Sequence, residues 1–378
     1  MSINEIILYI MLIFMVIGIV DKIFLGNKYG YGTKFEEGIQ AMGTLALAMA
    51  GIICMAPVLG QLLSGPVGAI YGLFGADPAM FAGTLLANDM GGWALSRNMT
   101  NNPEIVQLSG LYLGSMMGPT IVFSIPVALG LIEKKELPYL AKGMLAGFVA
   151  IPFGAFISGI VGGLPVGMVF VNLIPSIILA ILFALGLALI PEKMMKGFNV
   201  FAIFITGFIT ISLGLAIISY LGGIEIPLLG GMDSIVSVYS AADGEVLMGP
   251  LEVCGTIAIT LAGAFPFVHF ITTRFGKQLA SAGRLIGIGD VAAAGIVACL
   301  ANNIPMFGMM KDMDERGKVL SVAFSVCASF ALGDHLGFTA GVDQSAIFPM
   351  ICGKIFGGIV GIVMAMLLVV RSPKAKTA

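Results

Sequence analysis

Residues 39–64, 165–190 and 198–221 each continue for more than twenty residues without an Asp, Glu, Lys or Arg. About 20 apolar residues are what a helix needs to cross the hydrocarbon core of a bilayer. Further stretches of spanning length lie at 3–20, 140–161, 251–273 and 346–370. In lipid every backbone N–H and C=O must find its partner inside the protein. The chain is therefore expected to be an all-α polytopic membrane protein, one transmembrane domain over 1–378 with about ten or eleven hydrophobic segments.

Only 11% of its residues are charged and 58% are hydrophobic, whereas a soluble domain carries about 25% charged residues. The net charge of −2 is uninformative, and no basic tract suggests a nucleic-acid partner. Cys54, Cys254, Cys299, Cys327 and Cys352 stand singly in apolar runs, the pattern of small core residues rather than of a disulfide framework. His269 and His335 are too far apart to suggest a metal site, and no cofactor is expected. Glu5 and the absence of Lys or Arg before it argue against a cleaved leader, so residues 6–20 are expected to remain as a helix.

Four places interrupt the apolar sequence. Residues 79–88 stop at Asn88-Asp89, and 291–301 stop at Asn302-Asn303. The stretches 105–132 and 319–340 are long enough to span but are broken by Gly118-Pro119 and Gly333-Asp334. Proline removes a backbone donor and glycine loosens a helix, so these are expected breaks. The two halves also align with one another. Gly43-Thr44 falls on Gly255-Thr256, Asp77 on Asp290, Leu86-Ala87-Asn88 on Leu300-Ala301-Asn302, and Gly118 on Gly333. This defines one repeat over 36–130 and another over 248–345.

Basic residues orient them. Lys22, Lys28, Lys34, Lys134, Lys135, Lys142, Lys193, Lys196, Arg274, Lys277, Arg284, Arg371, Lys374 and Lys376 mark one set of loops, and the loop 222–250 has acids but no Lys or Arg. With the basic loops in the cytoplasm, 39–64 and 251–273 run in opposite directions and the repeats are inverted. The segments 79–97 and 291–311 are then the expected re-entrant pairs. Arg97 is left on the outer side, one departure from the bias.

Polar groups at membrane depth usually face a pathway. Asp89 suits a counter-charge for a cation, or a helix cap. Asn88, Asn302, Asn303 and Thr120 suit a hydroxyl or amine, and the asparagines suit equally the backbone freed by a break. Asp334 beside His335 suits a proton relay, a cation site or a neutral pair. Trp93 is a candidate cation–π face or an interfacial residue, Glu252 an interfacial or cavity-facing acid, and His269 a satisfied core histidine.

On Phe35-Glu36-Glu37-Gly38, MFAGTLLA at 80–87, GSMMGPTIVFSIP at 114–126, LANNIPMFGMM at 300–310 and ALGDHLGF at 331–338, the chain resembles the ethanolamine permease family of bacterial ethanolamine-utilisation operons. It departs mainly by a shorter loop after the first helix and around Gly162-Gly163. The resemblance implies a multi-pass protein of the bacterial cytoplasmic membrane that imports ethanolamine for a cytoplasmic lyase, with no cofactor of its own. The expected partners are ethanolamine, the lipid bilayer and, if Asp334-His335 relays them, protons; a homo-oligomer is compatible. Two other classes stay open at this point: a channel or receptor for a small amine, and an intramembrane aspartyl enzyme built on Asp89 and Asp334.

Overall fold

The computed structural model describes residues 2–224, 231–240 and 245–368. The basic tail with Arg371, Lys374 and Lys376, the end of the stretch 346–370, part of the loop 222–250, and the side chains of Lys277 and Arg284 lie outside the described residues. Eight helices among the described residues are long and apolar enough to cross a bilayer, and every full-length stretch read from the sequence overlaps one of them.

The chain opens with α1 (Ile3–Phe24), started by a capping box between Ser2 and Glu5. It turns into α2 (Tyr31–Gly72), which begins eight residues before the apolar stretch at 39–64. The extra turns are held by ion pairs, Lys22–Glu36 at 2.9 Å and Lys34–Glu37 at 2.6 Å. Two short helices follow, α3 (Met80–Leu85) and α4 (Trp93–Met99), then a broken helix of α5 (103–113) and α6 (117–131). Three long helices come next: α7 (Leu137–Val161), α8 (Val166–Leu189) and α9 (Pro191–Gly222). Proline at the first position of α9 needs no backbone donor, so α8 and α9 are separated by a single residue.

A two-strand antiparallel ribbon, β1 (Val238–Ser240) and β2 (Glu245–Leu247), sits in the loop before α10 (Pro250–Leu285). The helix α10 runs past the expected end at 273, since Arg274 and Gln278 favour helix. Then come α11 (Asp290–Cys299), α12 (Asn303–Met309), α13 (Glu315–Ala328), α14 (Asp334–Val342) and α15 (Ile347–Leu368). Asp314 caps α13 through the Gly317 amide and accepts from the Gly289 amide, both at 2.9 Å, tying α13 to the start of α11.

Packing sorts these elements into two groups. One holds α1, α2 and α10; the other holds α7, α8, α13 and α15, with α7 lying along α15. Outward-facing Ile203, Phe204 and Ile211 of α9 stay exposed, as a lipid-facing surface requires.

The short helices fold back on themselves. Ser109 Oγ donates to the Ala79 carbonyl at the entry of α3 (2.6 Å) and accepts from Ser96 of α4 (2.8 Å), so the chain returns to where it entered. In the second half, Met306 of α12 packs on Gly295 of α11. The tip of each hairpin then meets the break of the helix that follows. The Asn88 amide donates to the Gly114 carbonyl (2.8 Å); the Phe330 and Leu332 amides donate to the carbonyls of Cys299 (3.0 Å) and Leu300 (2.9 Å). Both meetings need glycine. A Cβ on Gly118 would overlap the Leu86 carbonyl, and one on Gly333 the Ala301 carbonyl. The backbone groups that hydrocarbon would leave stranded are thus paired across the two breaks.

Candidate functional site

Between these two pairs of breaks lies a cavity of about 40 Å3, lined by Ala87, Asp89, Met90, Pro119, Phe123, Phe330, Asp334 and His335. Every lining residue belongs to a break or its flank, so the cavity exists because the helices stop there.

Asp89 is carried on the turn between α3 and α4. Ala87 is extended, and Gly91 has φ +97°, a left-handed conformation that glycine adopts freely. A Cβ on Gly91 would also press on Ile52 of α2. Asp334 is the first residue of α14, where the positive end of the helix dipole favours a carboxylate. Phe123 and Phe330 meet edge to face with centroids 5.6 Å apart and give the cavity an apolar wall. The cavity therefore combines two carboxylates, one from each half of the chain, with aromatic and aliphatic surface.

His335 is buried, and its partner is a residue the sequence reading passed over. Lys354 of α15, only 1% exposed, places Nζ 3.1 Å from His335 Nδ1 and donates to the Ser115 carbonyl in the break between α5 and α6. With Lys354 as an ammonium, which has donors and no lone pair, Nδ1 accepts and His335 is a neutral imidazole. Lys354 thereby links the break of the first broken helix to the start of α14. The signal was present: a single Lys deep in an apolar run, which costs too much to be incidental.

The other candidate residues are placed as follows. Asn88 is fully buried beside Asp89, and neither its side-chain nitrogen nor its oxygen has a hydrogen-bond partner in the protein. Asn302 caps α12 through the Ile304 amide (2.9 Å). Asn303 is buried and donates to Ser124 Oγ at 2.7 Å, a bond between α12 and the helix carrying Pro119 and Phe123. Thr120 donates to the carbonyls of Met116 (2.7 Å) and Val326 (3.2 Å). These three serve the breaks rather than line the cavity.

Trp93 lines a second, wider cavity of about 860 Å3, together with Asn98, Gln107, Asp233 and Asp343, and Arg97 lies over its ring, 4.7 Å from the centroid. Glu252 is exposed in the first turn of α10, where it accepts from the Ser237 hydroxyl. His269 bonds to the Tyr29 carbonyl at 3.0 Å. All five cysteines are free.

The Asn303–Ser124 bond yields a stability prediction. Ser124→Ala leaves a buried amide donor unpaired and is expected to destabilise the protein by about 1–3 kcal/mol. Thermal unfolding in detergent reads this as a lowered Tm, and an unchanged Tm would mean that the amide finds water.

With this geometry in view, the chain can be set beside known proteins. The family described as "Ethanolamine utilisation protein, EutH" matches residues 3–368. The chain belongs to the EutH family. The match runs from the start of α1 to the end of α15 and takes in all four breaks. It is 52% identical over 378 residues to the "Probable ethanolamine permease EutH" of Listeria monocytogenes, covering 100% of this chain and 97% of that one. To the protein of the same name from Escherichia coli it is 49% identical over 403 residues, covering 100% and 98%. The "Uncharacterized protein YxeR" of Bacillus subtilis is 42% identical over 360 residues, covering 95% and 93%. No solved structure matches. Together with its eight apolar helices, this makes the chain a multi-pass membrane protein, which in bacteria means the inner membrane.

Proposed function

We propose that this protein is a carrier that imports ethanolamine across the bacterial inner membrane by alternating access, and that the cavity of Asp89 and Asp334 is its substrate site. The observation that carries this reading is the meeting of two carboxylates, one from each half, in a small cavity at the four breaks. Ethanolamine is an ammonium at neutral pH, as an aliphatic amine with a pKa well above 7 must be. It needs an anionic partner for one end, a hydrogen-bonding partner for the other, and little space. The carboxylates supply the first, and the unpartnered amide of Asn88 beside the cavity supplies the second. The names of the relatives, probable ethanolamine permeases, support the same substrate.

The repeats 36–130 and 248–345 are proposed to be inverted copies whose hairpins and broken helices move against the rest of the fold, as in transporters with a site at the repeat interface. Transport is facilitated or coupled to protons through the cavity carboxylates. The test is labelled-ethanolamine uptake into proteoliposomes of the purified protein, with and without an imposed proton gradient. Saturable uptake suppressed by excess unlabelled ethanolamine is expected. Absence of uptake by folded protein would overturn the reading, and uptake linear in concentration would indicate a pore.

A further inference from the structure

We infer that Lys354 sets the charge of the cavity, so that the site accepts one positive charge at a time and discriminates a mono-ammonium from a di-ammonium compound. The inference rests on the carrier reading above and assigns a specificity-determining role to a residue that does not line the cavity.

Asp89 and Asp334 line the cavity, and so does His335, whose Nδ1 lies 3.1 Å from Lys354 Nζ. Lys354 therefore stands one side chain behind the wall of the cavity that Asp89 also lines. It is held there by the Ser115 carbonyl and by His335. With both carboxylates ionised, Lys354 an ammonium and His335 neutral, the cluster carries a single negative charge.

A buried cluster tolerates net charge poorly, because Coulomb energies grow as the local dielectric falls. One monovalent cation completes it. A second ammonium on the same ligand would stand as an unmatched positive charge near Lys354, and like charges brought together at a binding site cost enough to exclude a partner. Without Lys354 the cluster would carry two negative charges and suit a dication.

The test is competition against labelled-ethanolamine uptake by 3-aminopropan-1-ol and 1,3-diaminopropane, which share a chain length and differ in a hydroxyl against a second ammonium. For the unmodified protein the diamine is expected to compete about tenfold more weakly, or worse. In Lys354→Met the gap is expected to close to within about threefold, and Lys354→Arg is expected to keep it. Equal competition in the unmodified protein would overturn the inference, as would a folded Lys354→Met variant that still rejects the diamine. If Lys354→Met does not accumulate, Lys354→Met with Asp334→Asn restores the charge count and is expected to recover folded protein. A double variant no better than the single one would also overturn it. Unmodified protein that takes up no ethanolamine defeats the carrier reading instead; the charge count is then decided by whether the monoamine raises Tm more than the diamine.

Discussion

Replacing Asp89 with Asn is expected to lower ethanolamine uptake by about 30-fold or more while leaving the fold intact. The side chain keeps its size and loses its charge, so the turn that carries it, fixed by Gly91 and by the Asn88 amide on the Gly114 carbonyl, is not disturbed. What is lost is the partner of a desolvated ammonium. Truncating one member of such a pair costs about 2–5 kcal/mol, and each 1.4 kcal/mol is about a factor of ten in affinity. The measurement is uptake at sub-saturating substrate together with Tm in detergent. Near-normal uptake would reduce Asp89 to a structural element of the hairpin tip and leave Asp334 as the ammonium partner.

The second large effect is structural. Gly118→Ala and Gly333→Ala each place a methyl group inside a backbone carbonyl of the neighbouring hairpin, on Leu86–Ala87 in one case and Ala301 in the other. Backbone cannot step aside as a flexible side chain does, so hairpin and broken helix must separate. That would also unpair the amides of Asn88 and Leu332. A cost of about 3 kcal/mol or more is expected from overpacking and lost hydrogen bonds together. Either variant should show a clearly lowered Tm or fail to accumulate in the membrane. A variant with unchanged Tm would mean that hairpin and break are not in close contact.

These same glycines mark what was legible in the sequence. The spans could be read because a run such as 198–221 has no alternative in water, and it became α9. The breaks could be read because Asn, Asp, Gly and Pro in the midst of apolar sequence leave backbone groups without partners unless another segment supplies them. The placement of Asp89 and Asp334-His335 on a cavity was visible for a related reason: carboxylates at membrane depth are costly, and both line the same cavity.

Other features depend on contacts between segments far apart in sequence. Nothing local separates an asparagine that caps a helix, as Asn302 does, from one left buried and unpartnered, as Asn88 is. Thr120 bonds to the Val326 carbonyl, 206 residues away. Trp93 is covered by Arg97 one helical turn later, a pairing that the i,i+4 spacing made readable and that the sequence reading passed over. Lys354 is the instructive omission. Averaged over the stretch 346–370, one charge vanishes into the hydropathy; taken alone, it is a buried ammonium that must be paired, and its partners lie on α14 and in the break between α5 and α6.

The most direct test of the central account, one cavity serving both sides of the membrane in turn, is counterflow. Proteoliposomes loaded with unlabelled ethanolamine are diluted into a trace of labelled ethanolamine with no ion gradient. The account predicts a transient accumulation of label above its equilibrium level, lost in Asp89→Asn. Equilibration of label without overshoot, unaffected by the internal load, would contradict alternating access and make the cavity part of a pore.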